Sequence, residues 1–228
     1  MKWEEHNLYW GRPLKSILAV FDKTILDFNL NHLQSSNKTF VDKNLEENLK
    51  KFTEFKNYEK FFKLNNIIID QELRKDFIRK EIIKAEKKRK FKVNLNEKLL
   101  NEVTNLVEKP KILVCEFDKR FLKIPKEILV TTMQTHQKYF STIDNKANLT
   151  NNFIVVADID DPKGLVKIGN ERVIDARLSD AEFFWDRNKS QNLVKQISKL
   201  KNINYFEGMG SYFDKIQRMR KLSAIIAD

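Results

Sequence analysis

The chain has 228 residues, a length that allows one large or two small domains. Of these residues 41% are apolar and 33% charged, and the mean hydropathy of -0.54 is typical of a soluble, globular protein. It contains no run of 18 apolar residues, which excludes a transmembrane helix, and its first ten residues lack the apolar stretch of a signal peptide. The single cysteine, Cys115, excludes an internal disulfide, and the cytoplasm is therefore the expected location.

The chain is strongly basic, with a net charge of +11 and an isoelectric point of about 9.5. A positive balance of this size favours polyanionic partners, among which RNA and DNA are the commonest for a cytoplasmic protein. A lysine-rich surface that is simply hydrated is the alternative explanation.

The N-terminal part of the chain predicts a hairpin followed by a helix. Residues 14–21 and 24–30 are rich in strand-forming side chains, and Asp22-Lys23 between them predicts a tight turn. Residues 42–66 are polar and helix-prone, with a buried edge predicted at Phe52, Phe55, Tyr58, Phe61 and Phe62. The three isoleucines at 67–69 then predict a short buried strand.

The next stretch predicts two amphipathic helices. Asp70 is positioned to cap the first helix, over residues 71–90, and the predicted inward-facing side chains are Leu73, Phe77, Ile78, Ile82 and Ala85. Asn94, with Glu97 three residues later, predicts the start of the second helix, which ends at Lys109-Pro110. Its apolar stripe comprises Leu95, Leu99, Leu100, Val103, Leu106 and Val107.

The first of these helices ends in the most basic stretch of the chain, residues 84–92. Six of the nine residues are cationic, namely Lys84, Lys87, Lys88, Arg89, Lys90 and Lys92. Cations at the C-terminus of a helix compensate the helix dipole, which is one explanation. Contact with nucleic-acid phosphates, independent of sequence and sensitive to salt, is the other.

The middle of the chain predicts the strands of a sheet. Residues 111–117 predict a central strand, in which the Cys115 thiol is expected to be inert because no neighbour in sequence would lower its pKa. Pro125 opens a helix whose core-facing residues are Ile128, Leu129, Thr132 and Met133. Residues 152–159 predict a second strand. The acidic residues at its end, Asp158, Asp160 and Asp161, could suggest Mg²⁺, but a polar turn explains them more simply.

The helix after Pro125 continues into Gln-Thr-His-Gln-Lys-Tyr-Phe at residues 134–140. His136 could act as a general base, and Lys138 and Tyr139 could contact a phosphate or stack on a base. No carboxylate or serine motif accompanies His136. The favoured interpretation is a junction between a helix and a strand, with Tyr139 and Phe140 on opposite faces.

The last third of the chain predicts helices. Gly169-Asn170 predicts a helix start, with Glu171 in the first turn, and the apolar face comprises Ile174, Leu178, Ala181 and Trp185. A second helix contains Leu193, Val194, Ile197 and Leu200. A third helix, over residues 210–227, places Tyr212, Ile216, Met219, Ser223 and Ile226 on one face.

Several site motifs are missing from the sequence. It has no G-x-x-x-x-G-K-[ST] loop, no G-x-G-x-x-G fingerprint and no Cys/His spacing suited to zinc. Five glycines, three scattered histidines and one cysteine leave little material for a phosphate cradle or a nucleophilic site. The chain by itself is therefore not expected to be a catalyst or to bind a metal.

Three motifs of the sequence resemble motifs of one known family and occur in the same order as in that family. GNERVIDARLSDAEFFWDRN at 169–188 resembles the signature segment of the β subunit of bacterial two-subunit glycine–tRNA ligase. MQTHQKYF at 133–140 is similar to the family's M-x-x-x-Q-K-Y-F run, and residues 151–154 are similar to its following strand. Met1-Lys2-Trp3 with residues 10–13 resembles an internal family segment, so the resemblance covers nearly the whole chain.

The resemblance implies an α+β fold with a mixed or antiparallel sheet, packed helices and further C-terminal helices. It implies a body domain over 1–188, containing a helix-rich segment over 42–110, and the start of another domain over 189–228. In this ligase type the α subunit holds ATP, Mg²⁺ and glycine, whereas the β subunit is required for activity and engages tRNA. The natural β chain is longer than this one, and no cofactor is expected to bind here.

The expected partners are the ligase α subunit and tRNA(Gly), with neither DNA nor a membrane. No catalytic residue of the family maps onto this chain. The expected RNA contacts are the six cations at 84–92 together with Lys138 and Tyr139. The motif residues with an expected structural or interface role are Arg12, His136, Gln137, Phe140, Asn170, Glu171, Arg172, Arg177, Asp180, Phe183 and Phe184.

Two other classes of function stay open. A free-standing, sequence-independent RNA-binding protein would bind many RNAs with a steep salt dependence and would ignore the α subunit. A purely structural interaction module would have no affinity for RNA at moderate salt.

Overall fold

The computed structural model describes residue 9, residue 14 and residues 16–41 and 49–227. In the described part of the chain, seven short strands precede the first described helix: β1 (Ile17–Leu18), β2 (Val20–Phe21), β3 (Thr24–Ile25), β4 (Asn29–Leu30), β5 (Leu33–Ser36), β6 (Lys38–Thr39) and β7 (Lys50–Lys51). Strand β5 pairs in parallel with β1 and antiparallel with β4, while β2–β3 and β6–β7 form two antiparallel pairs.

The predicted turn at Asp22-Lys23 is confirmed. The two residues have φ angles of 44° and 67° and connect β2 to β3. Positive φ at both central residues gives a two-residue turn the twist that its flanking strands require. The sequence did not predict β5, where Ser35 Oγ donates to the carbonyl of Leu26 at 2.6 Å and accepts from the N–H of Phe28 at 3.0 Å.

Helix α1 (Phe55–Leu64) occupies only part of the helix-prone stretch predicted over 42–66. Residues 42–48 lie outside the described ranges, and Lys50–Lys51 form strand β7 instead of helix. Its predicted aromatic edge is only partly buried, because Phe62 is buried whereas Phe55 is 70% exposed. Phe52, in the loop before the helix, is also buried.

Two helices follow, α2 (Gln71–Arg89) and α3 (Glu97–Leu106). Asp70 caps α2 as predicted, since its Oδ1 accepts from the N–H of Leu73 at 2.8 Å. The predicted cap of α3 is wrong: Asn96 Oδ1 accepts from the N–H of Leu99 at 3.2 Å. Asn94 instead donates its N–H to the carbonyl of Ser141, which ties it to the sheet.

The strand predicted over 67–69 is wrong, and Arg74 explains why. Its Nη1 donates to the carbonyls of Ile68 at 2.5 Å and Ile69 at 3.1 Å, and its Nε donates to the carbonyl of Thr104 in α3 at 2.8 Å. The guanidinium therefore satisfies carbonyls that a neighbouring strand would otherwise take, and it joins the segment to α2 and to the last turn of α3.

The main sheet is antiparallel and has four strands: β8 (Lys92–Val93), β9 (Lys111–Glu116), β10 (Phe140–Ile143) and β11 (Leu149–Ala157). Their order is β8-β10-β11-β9. The predicted α+β class is thus confirmed, and β11 matches the strand predicted over 152–159. The prediction of a central position for residues 111–117 is wrong, because β9 is an edge strand in the sheet that the described residues form.

Both faces of this sheet are covered, which makes three layers. Side chains of β11 alternate between two cores, with Phe153 and Val155 packing against Ile174 and Leu178 of helix α5 (Leu165–Ser190) on one face. Ile154 packs on the opposite face, in the core that α2 and α3 cover. Helix α4 (Lys126–Thr131), the following π-helical turn (Thr132–His136) and α5 (Leu165–Ser190) cover the first face.

Three residues predicted to face the core are exposed instead. Leu73, Phe77 and Leu106 lie on their helices beside the stripe that the sheet covers, whereas Ile78, Ile82 and Leu100 are fully buried. A helix can bury only the side chains that face its neighbour, and periodicity alone does not fix how wide that contact is.

Helix α5 begins at Leu165, so the start predicted at Gly169-Asn170 is wrong. Gly164 supplies the left-handed cap with a φ of 69°, and the Asp161 carboxylate accepts from the N–H groups of Val166 and Lys167. The helix continues past residue 188, where the sequence predicts a domain boundary. That division stays a prediction.

The chain continues through α6 (Leu193–Gln196), a 3₁₀ turn (Ile197–Asn202) and α7 (Tyr212–Ala227). The predicted apolar face of α7 is not fully buried, because Tyr212, Met219 and Ile226 are exposed. Within the described ranges, no helix combines the length and apolar character needed to cross a membrane.

Replacing Arg74 with Ala should lower the free energy of unfolding by about 2 kcal/mol, because three carbonyls lose a charged donor. Urea unfolding measures the change. Arg79→Ala, on the same helix, removes only an exposed ion pair with Glu97 and should change stability much less. Equal losses in the two variants would contradict this role for Arg74.

Candidate functional site

The basic end of α2 is fixed in position by its own helix end. Lys90 adopts a left-handed conformation with a φ of 59°, and its N–H donates to the carbonyl of Glu86. Glu86 Oε1 accepts from the N–H of Val93 at 2.7 Å, and Phe91 is buried in the core. These contacts direct the chain from the helix straight into β8, so the surrounding cations belong to an ordered surface.

All six predicted cations of residues 84–92 are exposed. Lys84 pairs with Glu81 at 2.5 Å along the helix. The other five, namely Lys87, Lys88, Arg89, Lys90 and Lys92, form no ion pair within the described part of the chain. Cations without carboxylate partners create a positive surface potential that attracts anions.

A groove of about 440 Å³ lies beside this basic end. Its floor is Ile112, Leu113 and Val114 of β9, and α2 and the start of α5 form its walls. Four cations line it against two carboxylates; the cations are Lys84, Lys88, Arg89 and Lys167, and the carboxylates are those of Glu81 and Asp161. Lys87, Lys90 and Lys92 do not line it, so the basic tract divides into a groove side and an outer side.

The two motifs at 133–140 and 169–188 meet in the structure. Tyr139 Oη donates to Asn170 Oδ1 at 2.5 Å, and Asn170 Nδ2 donates to the carbonyl of Val166 at 2.7 Å. Tyr139 is buried, and burial raises its pKa to about 12. A buried ring cannot stack on a base, so the structure removes Tyr139 from the candidate RNA contacts.

The other residues of the 134–140 motif have separate positions. Lys138 forms an ion pair with Glu102 of α3 at 2.7 Å, His136 is exposed on the π-helical turn, and Gln137 is half-buried. Phe140 is buried in the core opposite to that of Tyr139, which confirms the predicted alternation of these two residues.

Glu171 has a contact that the sequence did not reveal. Its Oε1 accepts from the N–H of Glu116 at 2.8 Å and lies 3.6 Å from Lys167 Nζ. An acidic residue in a helix carries no signal for a bond to a strand 55 residues earlier. The remaining motif residues on α5 are exposed on its outer faces: Arg172, Arg177, Asp180, Phe183 and Phe184. The rings of Phe183 and Phe184 contact each other edge to face.

The acidic residues after β11 bind backbone groups and cations of the protein. Asp158 Oδ1 accepts from the N–H groups of Glu108 and Lys109, each at 2.7 Å. Ion pairs with Lys111 and Lys109 lower the pKa of Asp160. Among the described residues, no group of three or more His, Cys, Asp or Glu side chains is arranged to hold a metal ion.

Cys115 is fully buried in the core beneath α5. Burial raises the pKa of its thiol to about 12, and the nearby Glu171 carboxylate acts in the same direction. A thiol with this pKa stays protonated at neutral pH and is a poor nucleophile. Arg12, the remaining motif residue, lies outside the described residues.

Comparison with known proteins gives a consistent result. The sequence profile of the family described as glycyl-tRNA synthetase beta subunit matches residues 1–228. The glycine–tRNA ligase beta subunit of Clostridioides difficile is 38% identical over 229 residues, covering 100% of this chain and 33% of the relative. Those of Dictyoglomus thermophilum and Thermodesulfovibrio yellowstonii are 37% and 35% identical, again over 100% of this chain and 33% and 34% of the relatives. The chain thus spans about a third of the length of these relatives.

Replacing Tyr139 with Phe should lower the free energy of unfolding by about 1–2 kcal/mol, because Asn170 Oδ1 loses its donor in a buried site. Thermal and urea unfolding both measure the change. Tyr58→Phe is the matched control, since the Tyr58 hydroxyl has no hydrogen-bond partner in the described ranges. Unchanged stability of Tyr139→Phe would show that the bond between the two motifs contributes nothing to folding.

Proposed function

The chain belongs to the glycyl-tRNA synthetase beta subunit family, and from this premise we propose that it is part of a β subunit that supports ATP-dependent attachment of glycine to tRNA(Gly). In this proposal a separate α subunit holds ATP, Mg²⁺ and glycine, and the assembly works in the cytoplasm. The present chain contributes binding surfaces.

The cations at the end of α2 that form no ion pair with any described residue are the observation that carries this proposal. A tRNA backbone is a polyanion, and exposed Lys and Arg side chains without carboxylate partners gain most from contact with phosphates. Lys87, Lys90 and Lys92 lie on the outer side of the tract, away from the groove. We propose that these three lysines contact the tRNA backbone.

Contacts of this kind position the RNA and do not read its sequence. Phosphate contacts fix the orientation of a nucleic acid, whereas sequence is read at base edges. The tract lies at the rigid junction of α2 and β8, so a bound tRNA segment would have a fixed orientation relative to the sheet. Selection of tRNA(Gly) then depends on other parts of the assembly.

The chemistry of the buried groups agrees with a supporting role. Burial raises the pKa of both Cys115 and Tyr139 to about 12, so ionisation of either group near neutral pH is even rarer than in an exposed side chain. Asp158, Asp160 and Asp161 are engaged with backbone N–H groups or lysines. These side chains stabilise the fold, and the reaction is assigned to the α subunit.

The outer face of α5 is the proposed contact with the α subunit. Phe183 and Phe184 are 60% and 55% exposed, and Arg172 and Arg177 are exposed on the same helix. Aromatic and Arg side chains are enriched in protein interfaces, because they combine a large apolar area with directional polar groups.

The tRNA contact is tested in the full-length β subunit. Changing Lys87, Lys90 and Lys92 together to Ala should reduce the slope of log affinity against log salt by about 2. The variant would make three fewer phosphate contacts, and its binding would therefore release fewer counterions from the tRNA. Fluorescence anisotropy with tRNA(Gly), at several salt concentrations, measures the slope.

The matched control changes three exposed lysines on other helices, Lys56, Lys60 and Lys199, to Ala. It removes the same charge and should leave the slope almost unchanged. Equal slopes for the two triple variants would show that net charge alone drives tRNA binding. Absence of tRNA binding at moderate salt by the unchanged protein would favour a purely structural module.

The α-subunit contact is tested by glycylation of tRNA(Gly) with the reconstituted ligase. Phe183→Ser with Phe184→Ser should weaken association with the α subunit at least tenfold, because the interface loses two aromatic anchors. Analytical ultracentrifugation measures association, and excess α subunit should restore glycylation. If the double variant associated fully with the α subunit but lost glycylation, that result would contradict the proposed contact. Failure of the unchanged β subunit to support glycylation would overturn the proposed function.

A further inference from the structure

The outer edge of β9 carries backbone groups that have no partner strand among the described residues. The register pairs Cys115 with Phe153, and the N–H of Phe117 donates to the carbonyl of Asn151 at 3.0 Å. In an antiparallel ladder, residues alternate between facing the partner and facing away. Ile112 and Val114 therefore direct their N–H and C=O groups away from β11.

This open stretch is limited at both ends. At one end the Glu171 carboxylate takes the N–H of Glu116, in place of the carbonyl of a further strand. At the other end Lys111 pairs with Asp160 at 2.8 Å. Between these contacts, no described residue forms a strand on the outer side of β9, and Ile112, Leu113 and Val114 line the 440 Å³ groove.

The groove favours an acidic occupant. Its four cations stand against two carboxylates, and Asp161 is already engaged by the N–H groups at the start of α5. Lys88 and Arg89 have no ion pair among the described residues, so they are available to a ligand. The groove floor is uncharged, because Ile112, Leu113 and Val114 are all apolar.

We propose that the free edge of β9 binds an extended acidic peptide segment as a fifth strand of the sheet. The ladder positions require a partner that both donates and accepts hydrogen bonds at strand spacing, and a peptide main chain does both. A phosphate backbone only accepts, and it would leave the carbonyls of Ile112 and Val114 unpaired. The peptide's carboxylates would lie against Lys88 and Arg89.

This site is separate from the tRNA contact, because Lys87, Lys90 and Lys92 do not line the groove. Flanking cations also serve to protect a free strand edge from aggregation, and in that case they would repel other strands without binding one. The two roles can be distinguished by experiment, because the backbone amides at the β9 edge respond to an added peptide only if the edge binds it.

The probe is a blocked seven-residue peptide of alternating Val and Glu, added to the ¹⁵N-labelled 228-residue chain. Binding should shift the amide signals of Ile112 and Val114 and slow their hydrogen exchange. The same peptide N-methylated at its three central residues keeps its charge but cannot form the ladder, so its affinity should fall at least tenfold. A peptide with Lys in place of Glu should not bind.

Two matched variants separate the groove from the outer tract. Lys88→Ala with Arg89→Ala should weaken peptide binding roughly fivefold, because two exposed charge contacts are lost. Lys87→Ala with Lys90→Ala should leave peptide binding unchanged. The N-methylated peptide keeps the test decisive even if a variant folds poorly, because it leaves the protein intact.

Three results would overturn the proposal. One is no shift of the Ile112 and Val114 amides at millimolar peptide, as expected of a merely protective edge. Another is equal affinity for the N-methylated peptide, which would mean attraction by charge alone. The third is a shift of these amides by a ten-nucleotide oligouridine that the peptide does not reproduce, which would assign the groove to nucleic acid.

Discussion

The antiparallel sheet must bury both of its faces, and the positions of the surrounding helices follow from that requirement. In β11 each side chain enters one of two cores, with Phe153 facing α5 and Ile154 facing α2 and α3. A shift of one residue in register would exchange these two faces along the whole strand. Because the sheet holds α2 and α5 on opposite faces, it also determines that they flank the outer edge of β9.

Polar contacts then fix the layers relative to each other. Arg74 joins α2 to the last turn of α3, and the hydrogen bond from Tyr139 to Asn170 joins the 133–140 segment to α5. Glu171, one residue further along α5, bonds to the edge strand. Apolar replacements of the same volume would not preserve this geometry, because each one would leave a hydrogen-bonding group unpaired in a partly buried site.

The basic tract at residues 84–92 contributes to two different basic surfaces. On a helix, positions four apart share a face, so Lys84 and Lys88 line the groove while Lys87 lies outside it. The groove side has hydrogen-bonding groups of a strand beside its cations, whereas the outer side has cations alone. A polyanion suits the outer side, and a peptide main chain suits the groove.

The sequence by itself determined the features that depend on close neighbours along the chain: the turn at Asp22-Lys23, the cap at Asp70, and the alternation of Tyr139 and Phe140. Its resemblance to a known family implied the α+β class. It failed where the outcome depends on distant residues. An apolar run such as 111–117 reads alike at the centre or the edge of a sheet. Residues 67–69 are apolar enough for a strand, but Arg74, which is anchored to the distant Thr104 of α3, takes the carbonyls of Ile68 and Ile69. The motifs indicated the family, but a linear pattern cannot show which side chains the core removes from the surface. Only the tertiary structure buried Tyr139, directed Glu171 to β9 and divided the basic tract, because each of these depends on contacts between segments tens of residues apart.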